Sequence, residues 1–205
     1  MSQGHAANPG PAGLTALAMA CFTFYAVHTG KVEATCIPLL GIWLLGGFIV
    51  QVIVGVMELN HGNVVGGNIF TFFSAFFMFA TGAELIFKYL AIAYKWPAMD
   101  GRIDGWAWLP LAITLICWTP GYFKSPLSLL AVVLALDVAL PLVAFMDLGI
   151  LPAQWHIVSG NFLLIAGIFG LYTAAGVVLN TAYERTILPM GGPLVKPKAP
   201  ATLAK

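Results

Sequence analysis

The chain has 205 residues, of which 60% are hydrophobic and 8% are charged, and its mean hydropathy is +0.92. A soluble domain carries about a quarter of its residues as charged side chains, so this composition excludes one and predicts an integral membrane protein. The formal net charge of +1 and the lack of a basic cluster argue against nucleic acid as a partner.

Apolar segments near the roughly 20 residues that cross a bilayer core are typical of membrane helices, and the alternating pattern of a membrane barrel is absent. We therefore predict an all-α fold with six transmembrane helices, over residues 13–27, 37–57, 68–92, 106–118, 127–145 and 156–179. Residues 1–12 are an N-terminal segment with an N-P-x-P motif, residues 13–180 the transmembrane domain, and residues 181–205 a cytoplasmic tail. From Pro189 to Lys205 the tail is proline-rich, and we expect this stretch to be mobile and too polar and broken to pack.

An even number of spans places both termini on one side of the membrane. That side carries the basic residues Lys124, Arg185, Lys196, Lys198 and Lys205, and the other side carries Lys31, Lys95 and Arg102, with Lys88 close by. The positive-inside rule then places both termini in the cytoplasm, with the chain in the cytoplasmic (inner) membrane.

The dipeptide Gly67-Asn68 opens the third span as Gly160-Asn161 opens the sixth, and aromatic and small residues follow both. The two halves are therefore candidates for inverted three-helix repeats, which place a substrate site near the membrane midplane. Two short matches also arise by chance, so the repeat is a hypothesis.

The stretch from Glu58 to Phe77 runs from a charged turn through glycines and asparagines into a phenylalanine-rich helix. Donors at a helix N-terminus favour a carboxylate or another small polar solute, and Asn63 and Asn68 supply amides here. One face of this helix forms a candidate constriction, made by Phe70, Phe73 and Phe77 together with Ser74. A hydrophobic neck admits a neutral or transiently desolvated solute and impedes hydrated ions, so the stretch predicts a small-solute pathway through a membrane.

Asp137 lies in the apolar fifth span, where an ionised carboxylate costs at least about 2.5 kcal/mol unless it is paired, hydrated or protonated. It is either a protonatable group that faces a cavity or helix interface, or an acid hydrogen-bonded between helices or subunits. Glu84 precedes Lys88 by four residues, which favours an ion pair within the third span. Glu58 and Glu84 join Asp137 as candidates for proton coupling.

The histidines His5, His28, His61 and His156 are scattered over termini and loops, and no pair has metal-ligand spacing with a third ligand. We expect lone polar surface residues, no metal site and no cofactor. The chain also has no nucleophile elbow, no Walker loop and no haem-ligating pair of histidines. Because polar residues within the predicted spans are few as well, the sequence argues against an enzyme.

Three blocks of sequence follow a familiar order and spacing across nearly the whole chain. They are Asn8-Pro9-Gly10-Pro11-Ala12-Gly13-Leu14, the stretch from Glu58 to Phe77, and Tyr172-Thr173-Ala174 with Val178-Leu179-Asn180 and Arg185-Thr186-Ile187-Leu188-Pro189. The first two are similar to N-P-A-P-L-G-L and E-F-x-x-G-N-T-F-G-A-T-A-F-T-S-Y-G-A-F-W, and the third to a terminal block. These patterns belong to the acetate uptake transporter family, that of the bacterial succinate-acetate permease and its fungal acetate and ammonia transporter relatives.

The resemblance implies six membrane helices per protomer, a hexameric ring, and a pathway for acetate and related small monocarboxylates within each protomer. Transport in that family is described as proton-coupled, and channel-like behaviour has also been proposed. The resemblance places along the pathway Asn8, Pro9 and Leu14 from the entrance motif, and Asn63, Phe70 and Thr71 from the second block. Phe73 replaces the usual tyrosine, Asn68 and Ser74 stand where threonine and glycine are usual, and Asp137 matches no family motif.

The sequence thus predicts a transporter or channel for acetate and similar carboxylates, with protons, the lipid bilayer and a homo-hexamer as its partners. A neutral-solute pore similar to the urea and amide channels suits the phenylalanine-lined neck equally well. An ammonium pore, in which Asp137 binds a cation, is a further alternative. A non-conducting membrane sensor or assembly protein is the alternative from another functional class.

Overall fold

The computed structural model describes residues 7–196, and all regular structure in that range is helical. The α-helices are α1 (Gly10–His28), α2 (Ile37–Asn60), α3 (Val64–Phe73), α4 (Thr81–Ala93), α5 (Arg102–Trp118), α6 (Leu127–Asp147) and α7 (Trp155–Ala182). Short 3₁₀ turns at Ala34–Cys36 and Thr119–Lys124 precede α2 and follow α5. The predicted all-α fold is confirmed.

A π-helical segment, Ser74–Ala80, joins α3 and α4 into one continuous helix. The hydroxyl of Thr81 donates to the carbonyl of Phe76, five residues earlier, at 3.1 Å. A separation of five residues is that of the wider π-helical turn. Such turns are frequent at functional sites, because they re-aim the side chains on either side. The segment begins directly after Phe73, so the register of the predicted phenylalanine face changes there.

Five helices are long and apolar enough, by length and composition, to cross a membrane: Gly10–His28, Ala34–Asn60, Val64–Ala93, Leu127–Asp147 and Trp155–Ala182. Between 28% and 44% of each apolar window is buried inside the chain, so most of that surface faces outward, as in a multi-pass membrane protein. The helix α5 is shorter, with 17 residues and an internal proline at Pro110. Each of the six predicted segments overlaps one of these six helices.

The helices pack in two connected groups around a shared apolar core. α7 packs against α1 and α6, α5 packs against α6, and α2 packs against α1, α3 and α4. Glycines allow the closest approaches: a Cβ on Gly41 would lie 2.6 Å from the carbonyl oxygen of Gly82, and one on Gly105 would lie 2.6 Å from Leu148. Small residues have this role in membrane proteins because apolar burial alone does not drive helices together in lipid.

The proline-rich stretch is held in place as far as the description extends, so the prediction that it does not pack is wrong for residues 189–196. The backbone N–H of Ser128 donates to the carbonyl of Met190 at 3.0 Å. The amide oxygen of Asn180 accepts hydrogen bonds from the backbone of Ile187 at 2.7 Å and Leu188 at 2.9 Å. The Tyr172 hydroxyl donates to the carbonyl of Pro189 at 2.7 Å. Prolines leave backbone carbonyls exposed in an extended segment, and here side chains of α7 donate hydrogen bonds to such carbonyls. Residues 197–205 lie outside the described range.

Both ends of the described chain lie at the same end of the bundle. Asn8 and Tyr122 line one cavity there, and the backbone N–H of Val195 donates to the carbonyl of Phe123 at 2.9 Å. We call this the terminal end and the opposite one the distal end. This arrangement agrees with an even number of crossings.

Candidate functional site

A cavity of about 460 Å³ occupies the terminal end, and we call it the terminal vestibule. Its polar lining residues include Asn8 and Asn63, Gln51 and Glu58 from α2, and Tyr122, Lys124, Ser125 and Thr173 from the later part of the chain. Its deeper wall is apolar, with Leu14, Leu17, Phe70, Phe73, Val133 and Leu136. A mostly apolar cavity with a few convergent polar groups is the usual form of a small-molecule site.

The polar rim of the terminal vestibule depends on the turn between α2 and α3. Gly62 occupies the left-handed region there, with φ of +78°, which only glycine adopts readily. The turn places Asn63 so that its amide oxygen accepts from the N–H of Gly66 at 3.1 Å, and its amide nitrogen donates to a Glu58 oxygen at 2.6 Å. Asn63 therefore caps α3 and also satisfies a carboxylate that is only 7% exposed.

Tyr122 adds a second neighbour of Glu58 in the same lining. It lies in the short turn after α5, and its side chain is 6% exposed. The Tyr122 hydroxyl and the Glu58 carboxylate line the same cavity. A phenol hydroxyl in this lining can donate a hydrogen bond to a carboxylate.

Gln51 is a site residue that the sequence reasoning did not select. Its side chain is 1% exposed, and its amide nitrogen donates to the carbonyl of Gly13 at 3.4 Å. Its amide oxygen is buried without a hydrogen-bond partner among the described residues. An unsatisfied buried polar group is costly, so this oxygen is suited to a hydroxyl or water in the terminal vestibule. Its position as the only strongly polar side chain within the predicted span 37–57 was the available signal.

An aromatic neck closes the inner end of the terminal vestibule. Phe73 lines that vestibule and is 4% exposed, while Phe77 lines a second cavity and is 3% exposed. Their ring centroids are 6.0 Å apart in an edge-to-face arrangement. Phe24 stacks on Phe77 at 5.7 Å, and Trp108 meets it edge-on at 5.8 Å. The neck thus consists of four aromatic rings, with Phe73 facing one cavity and Phe77 facing the other.

The second cavity, of about 160 Å³, lies at the distal end, and we call it the distal vestibule. Lys88 lies in its wall and pairs with Glu84, 2.6 Å away, which confirms the predicted ion pair. The Lys88 ammonium also donates to Asp104, and Asp147 lines the same space. Three carboxylates against one ammonium give this wall a formal charge of −2 when nearby histidines are neutral.

His28 and His156 line the distal vestibule together, so the expectation of lone surface histidines is wrong for this pair. One ends α1 and the other begins α7, and their ring centroids are 4.7 Å apart. The Nδ1 atom of each ring is buried without a partner among the described residues. Across residues 7–196 no group of three or more histidine, cysteine or acidic side chains is placed to hold a metal ion.

The predicted site residues divide into three sets. The terminal vestibule is lined by Asn8, Leu14, Glu58, Asn63, Phe70 and Phe73, and the distal vestibule by Phe77 and Glu84. Within the described chain, neither cavity is lined by Pro9, Asn68, Thr71, Ser74 or Asp137. The hydroxyls of Thr71 and Ser74 and the amide of Asn68 instead donate to backbone carbonyls of α3.

Asp137 faces α5 rather than either vestibule. One of its oxygens lies 2.7 Å from the Thr119 hydroxyl, and that hydroxyl also lies 2.9 Å from the carbonyl of Leu115. The backbone N–H of Thr119 also donates to that carbonyl, so the hydroxyl is free to donate to Asp137. The other oxygen of Asp137 is buried without a hydrogen-bond partner among the described residues. Asp137 thus links α6 to the turn that follows α5.

Comparison with known proteins places this arrangement among transport proteins. The succinate-acetate/proton symporter SatP of Escherichia coli (strain K12) is 28% identical over 186 residues, covering 90% of this chain and 95% of SatP, and that of Shigella flexneri matches equally. The solved structure of the bacterial acetate channel SatP is similar with a TM-score of 0.81 at 26% identity, covering 91% of this chain and all of that one.

These relatives are a symporter and a channel rather than enzymes, which agrees with the prediction from the sequence. The model of the GPR1/FUN34/yaaH family matches residues 1–190, nearly the whole sequence. The resemblance drawn from the three sequence blocks is therefore confirmed, and the chain belongs to the GPR1/FUN34/yaaH family.

Proposed function

We propose that the chain moves acetate and related small monocarboxylates across a membrane, through a pathway that joins the terminal vestibule, the aromatic neck and the distal vestibule. The observation that carries this proposal is the pair of cavities facing one another across Phe73 and Phe77. The family and the similarity to an acetate channel and a succinate-acetate/proton symporter support the choice of solute.

The neck supports coupling of this movement to protons. A carboxylate that enters the space between Phe73 and Phe77 loses water and meets only aromatic carbon, which disfavours its charged form. The neutral acid passes the same rings at far lower cost, and its methyl group packs well against them. Passage therefore takes one proton with each carboxylate.

The candidates for proton coupling differ in their access to the pathway. Glu58 lines the terminal vestibule and Glu84 the distal one, so both stay in the proposal as groups that face the solute. Asp137 lies outside both cavities and links two helices through Thr119. We assign it the structural role that the sequence left open, with no proton carried along the path.

We propose that α5 is a sixth membrane crossing. Its 17 residues extend about 25 Å, and the turn Thr119–Lys124 that follows lengthens it, against a hydrocarbon core of about 30 Å. Six crossings and the basic residues near the terminal end support a topology with both termini in the cytoplasm of an inner-membrane protein. The outward apolar surface of α2, with Ile42, Trp43 and Ile53 exposed, suits a homo-hexameric ring. The inverted repeat stays a hypothesis within this proposal.

Ammonium movement is the second candidate function, because the distal vestibule has a formal charge of −2 with neutral histidines. A wall of that charge attracts a cation and repels an anion. The acidic side chains involved are Glu84, Asp104 and Asp147 rather than Asp137.

Uptake into proteoliposomes separates these functions. Labelled acetate is offered with and without an inward proton gradient, protein-free liposomes are subtracted, and labelled methylammonium is offered in parallel. We expect gradient-driven acetate accumulation in the wild type and in Asp137→Asn alike. Methylammonium uptake without acetate uptake would favour the cation pore. If labelled urea is offered as well, its entry would favour the neutral-solute pore. Uptake of none of these solutes would favour the non-conducting sensor. Loss of accumulation in a well-folded Asp137→Asn protein would contradict the structural role and identify Asp137 as a proton-coupling residue.

A further inference from the structure

We propose that His28 and His156 together form the proton-binding station at the distal mouth, where a carboxylate and a proton are taken up as a pair. This inference deepens the proposed function and rests on it, since it names the groups that carry the proton. The two imidazoles come from opposite ends of the chain, and only the packing of α1 against α7 brings them together.

The position of the pair relative to the neck supports this role. His28 lies edge-on to Phe24 at 5.7 Å, and Phe24 in turn stacks on Phe77. A solute in the distal vestibule therefore meets the histidines directly before it reaches the neck. Both Nδ1 atoms are buried without a partner among the described residues, so each can accept a proton or bond an incoming oxygen.

The charges around the pair explain why the proton and the anion bind together. The other ionisable groups in the wall are Glu84 and Lys88 from α4, Asp104 from α5 and Asp147 from α6. Lys88 is engaged by Glu84 and Asp104, which leaves no free cation for an anion to meet. One imidazolium lowers the formal charge of the wall from −2 to −1 and adds an N–H donor, so a carboxylate is repelled less and can bond the ring directly.

The pair takes one proton at a time. Two imidazolium rings with centroids 4.7 Å apart repel one another, so the second proton binds less readily than the first. An imidazolium then holds the carboxylate and returns its proton to it at the entrance of the neck. The carboxylic acid leaves, and the histidine pair is neutral again. Each cycle moves one proton and one carboxylate.

Transport measurements test this assignment through its pH dependence. A site that binds one proton with each anion changes its apparent affinity for the anion by up to about tenfold per pH unit. We expect the KM for acetate uptake to fall by this factor between pH 7.5 and pH 6.5 in the wild type. The double variant His28→Gln/His156→Gln should lose most of this dependence. His61→Gln is the matched control, because His61 is exposed and lies outside the lining of both vestibules.

A spectroscopic measurement keeps the test independent of transport and of the folding of the double variant. Wild-type protein with ¹³C-labelled histidine is placed in nanodiscs at pH 7, and the signals are assigned with single His→Gln variants. Acetate should move the signals of His28 and His156 toward the imidazolium position and leave that of His61 unchanged. Unmoved signals in protein that transports acetate, or a wild-type pH dependence in the double variant, would overturn the assignment. If the wild type transports no acetate, the proposed function itself is wrong.

Discussion

The contact between Asn63 and Glu58 provides a sharp test of how the terminal vestibule is built. Asn63→Ala removes the cap of α3, which is worth about 1 kcal/mol. It also removes the amide that donates to the Glu58 carboxylate at 2.6 Å. A hydrogen bond to a charged group contributes about 1.5 to 3 kcal/mol, and the lower value applies because Asn63 is itself exposed. We therefore expect Asn63→Ala to lower the free energy of unfolding by about 2.5 kcal/mol, from these two contributions.

Further variants separate these contributions. Asn63→Ser keeps an oxygen that can cap α3 and loses the amide, so it should lose only about 1.5 kcal/mol. The single variant Glu58→Ala and the double variant Glu58→Ala/Asn63→Ala complete a double-mutant cycle, whose coupling energy should be about 1.5 kcal/mol. The assay is unfolding in mixed detergent micelles, followed by tryptophan fluorescence. Equal losses in the alanine and serine variants, with no coupling to Glu58, would refute this account of the rim.

Two substitutions probe the pathway walls, each beside a matched control. Phe77→Ala should cost about 3 to 5 kcal/mol of stability and admit longer monocarboxylates, because it removes a buried neck ring, whereas the exposed Phe76→Ala should change neither property. Competition by carboxylates of increasing length measures this, and an unchanged length limit would contradict the position of the neck. Gly13→Ala should reduce acetate uptake severalfold, because the added Cβ would lie 2.6 Å from the Phe70 ring and push it into the terminal vestibule. Gly46→Ala should leave acetate uptake unchanged, because the space around Gly46 is open. Equal uptake rates in the two variants would argue against displacement of the Phe70 ring.

The helices were predictable because hydropathy alone marks segments that must leave water. The predicted start of the fifth span at Leu127 is the observed start of α6, and the second span begins at Ile37 as predicted. The ends extend further than predicted, as at Asn60 and Ala182, because polar residues in the last turn continue the helical hydrogen bonds outside the apolar core. The second sequence block also contributes Glu58, Gly62, Asn63 and Gly66 to the lining of the terminal vestibule.

The histidine pair was not predictable, because it depends on a contact between residues 128 positions apart. Nothing near His28 or His156 in sequence indicates the other ring. The π-helical segment after Phe73 was missed for a related reason, since its residues are ordinary helix formers and the wider turn is set by packing. The ordered segment after α7 depends on Asn180 and Tyr172, whose side chains bond carbonyls several residues away.

The surroundings of Asp137 could not be predicted from the span in which it lies. Its cost within an apolar span is real, and that cost made it the first candidate for proton coupling. Asp137 lines neither vestibule: one of its oxygens accepts from the hydroxyl of Thr119, in the turn after α5, and the other is buried without a hydrogen-bond partner among the described residues. Whether a buried acid lines a cavity or bonds a neighbouring side chain depends on how the other helices pack around it. The sequence of its own span carries no information about that packing.

The central claim is that two vestibules meet at the neck between Phe73 and Phe77, and thiol accessibility tests it most directly. Phe73→Cys and Phe77→Cys are made singly in a background without Cys21, Cys36 and Cys117. A membrane-impermeant methanethiosulfonate reagent is then added to one side of sealed, oriented vesicles. We expect Phe73→Cys to react from the terminal side and Phe77→Cys from the distal side, with acetate uptake blocked in both. Reaction of both positions from the same side, or uptake unchanged after modification, would contradict a pathway through this neck.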